Sequence, residues 1–166
     1  MARTSHTGIS LRRAFIGTSA WFTAALVVAS AAHAAPHNAC PDTESWPIRS
    51  VSVSSCAPEA SECEMRKGAD IHLEIGFHAA EKARKIQASV EALTDGKTVS
   101  LPHTDPNVCS VLGCPLRPGT DYTYHTNFYV SPTYPTTKTT LRLKFTDAKG
   151  KTLVCTHIPA AFSEPQ

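Results

Sequence analysis

The chain has 166 residues, of which 42% are hydrophobic and 18% charged, and its formal net charge at pH 7 is +2. The only charged residues in the first 34 positions are Arg3, Arg12 and Arg13, so the rest of the chain carries a formal charge of −1. The sequence has no basic stretch interleaved with aromatic residues, which argues against a nucleic-acid partner. The remaining residues, about 130, suffice for one domain with a core and are too few for two.

The start of the chain has the three parts of a secretory signal peptide. Arginines precede an apolar run over residues 14–28, and a small-residue exit, Ala-His-Ala, ends at Ala34. We therefore predict a signal peptide at residues 1–34 and a secreted, extracellular domain at residues 35–166. No later stretch approaches the roughly 20 apolar residues that a membrane span needs.

Downstream of the leader, apolar residues recur with a period of two, which is typical of β-strands that bury one face. A first strand begins at Val51 and Val53, and apolar runs also lie at residues 86–93 and 153–158. Three further strands are marked by residues of one parity, namely Ile71, Leu73, Ile75 and Phe77; Tyr122, Tyr124, Thr126, Phe128 and Val130; and Leu141, Leu143 and Phe145.

Turn-forming residues separate these segments. They lie at Asp95-Gly96, 102–107, Pro118-Gly119, 132–135 and Lys149-Gly150. About seven short antiparallel strands with such breaks predict an all-β fold, a two-sheet β-sandwich.

All six cysteines follow the leader, which indicates an oxidising destination and a disulfide framework. Six cysteines allow many connectivities, and the spacing alone leaves them open. Chain proximity favours Cys56 with Cys63 and Cys109 with Cys114, which leaves Cys40 for Cys155. Zinc is the rival interpretation, but neither short pair has the two-residue spacing of a metal knuckle.

The sequence argues against an enzyme. Its six histidines after the leader are scattered, and we expect most of them at the surface. A Gly-x-Ser-x-Gly elbow and a His-Glu-x-x-His motif are both missing from the sequence. We predict no catalytic residues, no metal and no cofactor.

From Val51 to Phe162 the chain resembles the MD-2-related lipid-recognition (ML) domain family, and within it the Niemann-Pick type C-two and mite group-two allergen branches. The resemblance lies in short words that follow the family's order along the chain. These words are Val-Ser-Val-Ser-Ser-Cys56, Cys63-Glu-Met-Arg-Lys-Gly68, Gly113-Cys114-Pro-Leu, Tyr122-Thr-Tyr-His125, Val130 with Tyr134-Pro135, and Leu-Val-Cys155 followed by Ile158-Pro159.

The resemblance implies the same three bridges as chain proximity and an immunoglobulin-like sandwich with an internal hydrophobic cavity between splayed sheets. It places Leu101, Val130 and Tyr134 at the cavity mouth. It also implies inner walls made of strand residues, namely Val53, Met65, Ile71, Leu73, Ile75, Phe77, Val99, Leu141, Leu143 and Phe145. Taken alone, alternating apolar strands would equally suit an ordinary sandwich core.

By this resemblance the protein is a secreted lipid-binding and transfer protein that holds one sterol, fatty acid or lysolipid. Transient membrane contact and a monomeric state are expected. The alternative is an innate-immune module that presents microbial lipid to a receptor. A multi-acylated ligand would favour a basic rim, whereas the expected mouth region, residues 101–108, contains Asp105 and no lysine or arginine. This favours the carrier.

Departures from the family's pattern weaken any expectation of cholesterol specificity. Leu101 stands where the family has an aromatic residue, and Leu143 and Thr156 stand where its sterol carriers have tryptophans. Flat rings that would stack on a rigid sterol are therefore missing at these positions.

Overall fold

Nine β-strands and one short helix form within residues 34–165, the residues that this computed structural model describes. Apart from Ala34, the predicted signal peptide lies outside the described residues. The helix α1 spans Val108–Leu112. The strands are β1 (Asn38–Ala39), β2 (Ile48–Val53), β3 (Cys63–Arg66), β4 (Asp70–Ala79), β5 (Ile86–Thr94), β6 (Lys97–Leu101), β7 (Thr120–Tyr129), β8 (Thr137–Asp147) and β9 (Thr152–Ser163).

The strands form two sheets. The six-stranded sheet has the order β1-β9-β8-β5-β6, and β3 joins it by pairing with β9. The three-stranded sheet has the order β2-β4-β7. The prediction of an all-β, two-sheet sandwich is therefore confirmed.

The expectation of about seven short antiparallel strands is wrong in two respects. Strands β8 and β9 are long, with 11 and 12 residues. Strand β3 runs parallel to β9, with Cys63 opposite Ala160. The chain reaches β3 by crossing over from β2 in the other sheet, so no hairpin imposes an antiparallel direction. A period of two in the sequence shows which face of a strand is buried. It does not indicate whether the strand runs parallel or antiparallel to its neighbour.

Burial follows the predicted alternation. In β4, Ile75 and Phe77 are fully buried, while His72 and Glu74 are exposed. In β7, Tyr124, Thr126 and Phe128 are buried, and Tyr122 of the same parity is half-buried. Side chains of the inner faces of both sheets belong to one hydrophobic core.

Aromatic rings occupy part of this core. Phe77 stacks on Trp46 with ring centroids 6.1 Å apart, and its ring meets that of Phe145 edge-on at 5.4 Å. Tyr124 also meets Phe145 edge-on, at 5.0 Å. Burial raises the pKa of the Tyr124 phenol, whose hydroxyl donates to the backbone carbonyl of Asp105 at 2.8 Å. Tyr122 completes this aromatic cluster by stacking on Phe77.

Residues 102–107, which we call the cross-sheet segment, connect the two sheets along one side. On the three-stranded sheet, Thr104 N donates to Asn127 O at 2.8 Å. On the six-stranded sheet, Ala88 N donates to Pro106 O at 2.7 Å. The segment therefore connects β5 and β7 through backbone hydrogen bonds.

Helix α1 follows the cross-sheet segment and was not expected, since five residues are too few to display a helical period. Asn107 caps its start by accepting from Cys109 N at 3.1 Å. The helix ends at Gly113, which has a φ of 70° and donates its N–H to Cys109 O.

The structure contains disulfides between Cys40 and Cys155, Cys56 and Cys63, and Cys109 and Cys114. These are the pairs that chain proximity favours. No cysteine is free within residues 34–165. The first bridge ties the residue after β1 to the first third of β9, and its partners lie 115 positions apart.

The outer face of the three-stranded sheet carries histidines that pair across β4 and β7. His72 Nδ1 lies 2.5 Å from Asn127 Oδ1, and His78 Nδ1 lies 2.7 Å from Asp121 Oδ1. The His78 hydrogen bond holds the pKa of Asp121 below its usual value. His37, His72 and His125 are exposed as expected, whereas His78, His103 and His157 are half-buried.

We expect Cys40→Ala/Cys155→Ala to destabilise the protein more than Cys109→Ala/Cys114→Ala. The sequence separations are 115 and 5 residues, and the chain-entropy model gives about 4–5 kcal/mol for the long loop and about 2 kcal/mol for the short one. Urea unfolding of both variants measures the difference, after non-reducing peptide mapping of the wild type has verified the bridges. Equal losses of unfolding free energy in the two variants would show that loop length does not determine how much each disulfide stabilises the protein.

We expect His157 to make the fold less stable in acid. Burial and the nearby Arg142 guanidinium lower the pKa of His157 from its ordinary value of 6.5. As the pH falls below that value the unfolded chain takes up the proton first, so the free energy of unfolding decreases until the folded pKa is reached. Thermal unfolding of His157→Gln between about pH 7.5 and 5 should therefore vary less with pH than that of the wild type.

His125→Gln is the matched control, because it removes an exposed histidine from the other sheet. A wild-type pH dependence that survives unchanged in His157→Gln would contradict the assignment.

Candidate functional site

A cavity of about 230 Å³ lies at the end of the six-stranded sheet where β5 turns into β6. The strand residues that line it all belong to the six-stranded sheet. Residues of the connection between β7 and β8 line its remaining side. The lining residues are Ala92, Thr94, Asp95, Lys97, Val99, Leu101, Tyr134, Pro135 and Phe162.

Beside the cavity the chain reverses tightly at Asp95-Gly96. These two residues have φ values of 47° and 75°, which is the left-handed conformation that a two-residue type I′ hairpin requires and that Asp-Gly sequences favour. Thr94 therefore lies opposite Lys97, and Ala92 opposite Val99.

The lining changes from apolar to polar along this hairpin. Leu101 is buried, with 1% of its surface exposed, whereas Val99 is 46% exposed. Directly opposite partners of an antiparallel pair present their side chains to the same face. Thr94 and Lys97 thus form the polar rim, next to the turn.

Two aromatic rings form the other wall. Tyr134 and Phe162 lie with ring centroids 5.4 Å apart. Phe162 is buried on β9, and Tyr134 is half-buried in the β7–β8 connection. Since Tyr134 sits on a connection with one side open to solvent, its ring is the more easily displaced of the two.

Among the residues that the sequence assigned to a ligand site, Val99, Leu101 and Tyr134 line this cavity. The others are buried inside the core, each at most 3% exposed. They are Val53, Met65, Ile71, Leu73, Ile75, Phe77, Val130, Leu141, Leu143 and Phe145. Their contact with a ligand remains a prediction.

Three positions differ from the expected arrangement. Leu101, expected at the mouth, is 1% exposed and lies at the inner end of the cavity. Val99, expected on an inner wall, lies at the exposed edge of the cavity. Val130, expected at the mouth, is 0% exposed and is not among the residues that line the cavity. Its backbone is held by bonds from Gly68 N to Val130 O and from Val130 N to Ala69 O, which fix the chain before the turn to Tyr134.

The sequence pattern did not indicate Lys97 and Phe162 as site residues. The family resemblance placed the mouth at residues 101–108, which contain no lysine or arginine. The β5–β6 hairpin, however, brings Lys97 to the rim of the cavity. The Asp-Gly turn was the available signal. Phe162 continues the alternation of β9 beyond the apolar run at residues 153–158. The sequence therefore also indicates that the Phe162 side chain faces inward.

The rim contains one lysine and one aspartate. None of the ion pairs within residues 34–165 involves Lys97 or Asp95. The Thr94 hydroxyl is already engaged, since it donates to Thr139 Oγ1 at 2.9 Å. The Lys97 ammonium is therefore the positive charge that the rim offers to a bound group.

A larger depression of about 360 Å³ lies between residues 81–85 and the β8–β9 turn. It opens more widely to solvent, and most of its lining residues are charged. The smaller cavity is the better candidate because aromatic and aliphatic side chains form its walls.

Other kinds of site find no support in the described part of the chain. No cluster of three or more His, Cys, Asp or Glu residues there is suited to a metal ion. No helix among residues 34–165 is long and apolar enough to cross a membrane.

Comparison with known proteins identifies the family. The profile of the ML domain matches residues 34–162. The chain is 33% identical to the mite group 2 allergen Tyr p 2 of Tyrophagus putrescentiae over 126 residues, which cover 76% of this chain and 86% of the allergen. It is 26% identical to the NPC intracellular cholesterol transporter 2 of Danio rerio over 110 residues, which cover 66% of this chain and 72% of the transporter.

A solved structure shares the fold. The Niemann-Pick type C2 protein from Japanese carpenter ant superimposes with a TM-score of 0.66 at 22% identity, covering 73% of this chain and 95% of the ant protein. The profile match extends over more than half of the sequence and includes eight of the nine strands completely. The chain belongs to the ML domain family.

Proposed function

We propose that the protein is a secreted lipid carrier that holds one apolar chain, from a fatty acid, lysolipid or sterol, in the cavity beside β5 and β6. The observation that carries the proposal is an apolar-walled cavity with a polar rim in an ML domain. The name of the zebrafish relative, a cholesterol transporter, supports lipid as the ligand class. Three disulfides support a destination outside the reducing cytosol.

Burial of hydrocarbon provides enough affinity without a catalytic or metal group. Each buried methylene contributes about 0.8 kcal/mol, so about 14 carbons contribute on the order of 10 kcal/mol relative to water. One neutral hydrogen bond adds about 1 kcal/mol. A lipid in a membrane is already in hydrocarbon, so its transfer to the protein is nearly balanced. This balance suits a carrier that also releases its cargo.

The cavity must widen to take a whole lipid. A cavity of about 150 Å³ holds one benzene molecule, and ligand pockets of drug-sized molecules start near 300 Å³. The observed 230 Å³ fits a segment of chain. Tyr134 and strand β6 are the parts free to move, because β6 pairs only with β5 among the described strands.

The other sides of the sandwich are held more firmly. The aromatic cluster fills the core around Phe77, and the cross-sheet segment fixes β5 to β7. If only β6 and the Tyr134 ring move, the cavity opens narrowly. A narrow opening admits a flexible chain more readily than a rigid fused-ring ligand. We therefore infer a preference for fatty acids or lysolipids at least equal to that for cholesterol.

The narrow cavity also favours the carrier over the immune-recognition alternative. A multi-acylated microbial lipid would need room for several chains and a rim with several cations. The rim contains Lys97 beside Asp95, and the cavity is below the usual range for even one drug-sized ligand.

We expect Ala92→Leu to block the site. Ala92 is buried and lines the cavity, so a larger aliphatic side chain fills the space that the ligand needs. Displacement titrations should show affinity for tetradecanoate reduced about tenfold or more. Thermal stability should be retained or raised, since filling a cavity commonly stabilises a protein by about 0.5–2 kcal/mol.

Ala88→Leu is the matched control for that variant. Ala88 lies on the same face of β5 but does not line the cavity. There the added carbons overpack the core and cost about 1–3 kcal/mol, while the folded fraction should bind normally. Unchanged affinity in Ala92→Leu would place the ligand elsewhere.

We expect fatty acids to compete at least as well as cholesterol for the wild-type protein. The measurement is a competition titration with both ligands, together with mass spectrometry of lipid extracted from protein purified without denaturation. Tight cholesterol binding that tetradecanoate cannot displace would contradict the inferred preference and leave the carrier proposal in place.

A further inference from the structure

We propose that Lys97 binds the anionic head group of the ligand, so that the cavity selects carboxylate-bearing chains and holds them with the head group at the rim. The inference rests on the proposed lipid-carrier function and specifies its ligand class. It assigns a role in ligand specificity to a residue outside the expected mouth region.

The first argument is the order of residues along the hairpin. Leu101 lies at the buried floor, the Ala92–Val99 pair comes next, and the Thr94–Lys97 pair forms the rim. An amphipathic ligand gains most when its chain contacts the floor and its head group remains near water. Among the described residues that line the cavity, Lys97 is the one cation, and it lies at the level where the head group must be.

The second argument is that this cation is available. Lys67, Lys138 and Lys151 are engaged with Glu164, Glu62 and Glu81. Within residues 34–165 Lys97 takes part in no ion pair. Its ammonium can form a charge-assisted hydrogen bond with a carboxylate without first breaking a bond to a protein group.

The third argument concerns the other polar groups at the rim. Thr94 already donates its hydroxyl proton to Thr139, which in turn donates to the carbonyl of Leu93 at 3.1 Å. Asp95 offers acceptor oxygens only, and it repels an anion. Lys97 must therefore provide the attraction for a carboxylate. An alcohol can exchange neutral or singly charged hydrogen bonds with the same rim, but it gains no charge–charge attraction from Lys97.

The test compares two ligands of equal chain length, tetradecanoate and tetradecan-1-ol, on wild type and Lys97→Met. Affinities are obtained by displacement of the neutral fluorophore N-phenyl-1-naphthylamine near pH 8, where the carboxylate is ionised. A partly exposed ion pair predicts about a fivefold loss for the acid. The alcohol should change by less than about twofold, because methionine replaces the aliphatic stem of the lysine.

Two further variants and a salt series sharpen the comparison. Lys97→Arg should retain the preference for the acid, and Lys149→Met, which removes a lysine lining the other depression, should leave both affinities unchanged. Raising the salt concentration to about 0.5 M should reduce the wild-type preference, since salt screens exposed charges.

The outcomes separate this inference from the function on which it rests. Equal losses for acid and alcohol in Lys97→Met would mean that the side chain acts through its hydrocarbon stem, and the inference would be wrong. No loss for either ligand would also overturn it, with the carrier function intact. If neither ligand displaces the fluorophore from the wild type, the proposed function itself fails.

Discussion

The structure depends on strand β9, which is hydrogen-bonded along both of its sides. Strand β8 pairs with one side over most of its length. The other side is divided between β1, opposite residues 156–157, and β3, opposite residues 160–163. Because the backbone polar groups of a buried strand must be paired, this division lets one central strand bind the start of the domain and the crossing strand β3 to the same sheet.

The position of β9 also explains the asymmetry of the sandwich. Near its start Cys155 bonds to Cys40, and Val154 lies opposite Phe145, a member of the aromatic cluster. At its end Phe162 faces Tyr134, and β6, at the far edge of the sheet, is bound by β5 alone. The same strand thus joins a firmly packed region to a region where a cavity remains.

The sequence predicts the strands well because burial of one sheet face imposes parity, and parity is visible residue by residue. Phe77 and Tyr124 are buried where the alternation requires it. Features that depend on how the chain crosses between sheets are not visible in this way. The parallel pairing of β3 with β9 is of this kind.

The candidate site is predictable only in part for the same reason. Val99, Leu101 and Tyr134 are three of the residues that the family resemblance assigns to a ligand site, and they line the cavity. A strand pattern shows which residues face inward but not where the packing leaves a cavity, and most of the expected wall residues lie in the closely packed core. Lys97 lies four residues before Leu101, and only the geometry of a two-residue turn shows that it returns to the same opening.

Strand β6 has a consequence for association between molecules. It is the terminal strand of its sheet, so the backbone groups on its far side have no strand partner among the described residues. Such an edge invites a second molecule to add its own strand, and short length and lysine are two means by which natural proteins prevent this. With five residues beginning at Lys97, β6 has both protections. The lysine that we assign to head-group recognition would then also guard the sheet edge against self-association.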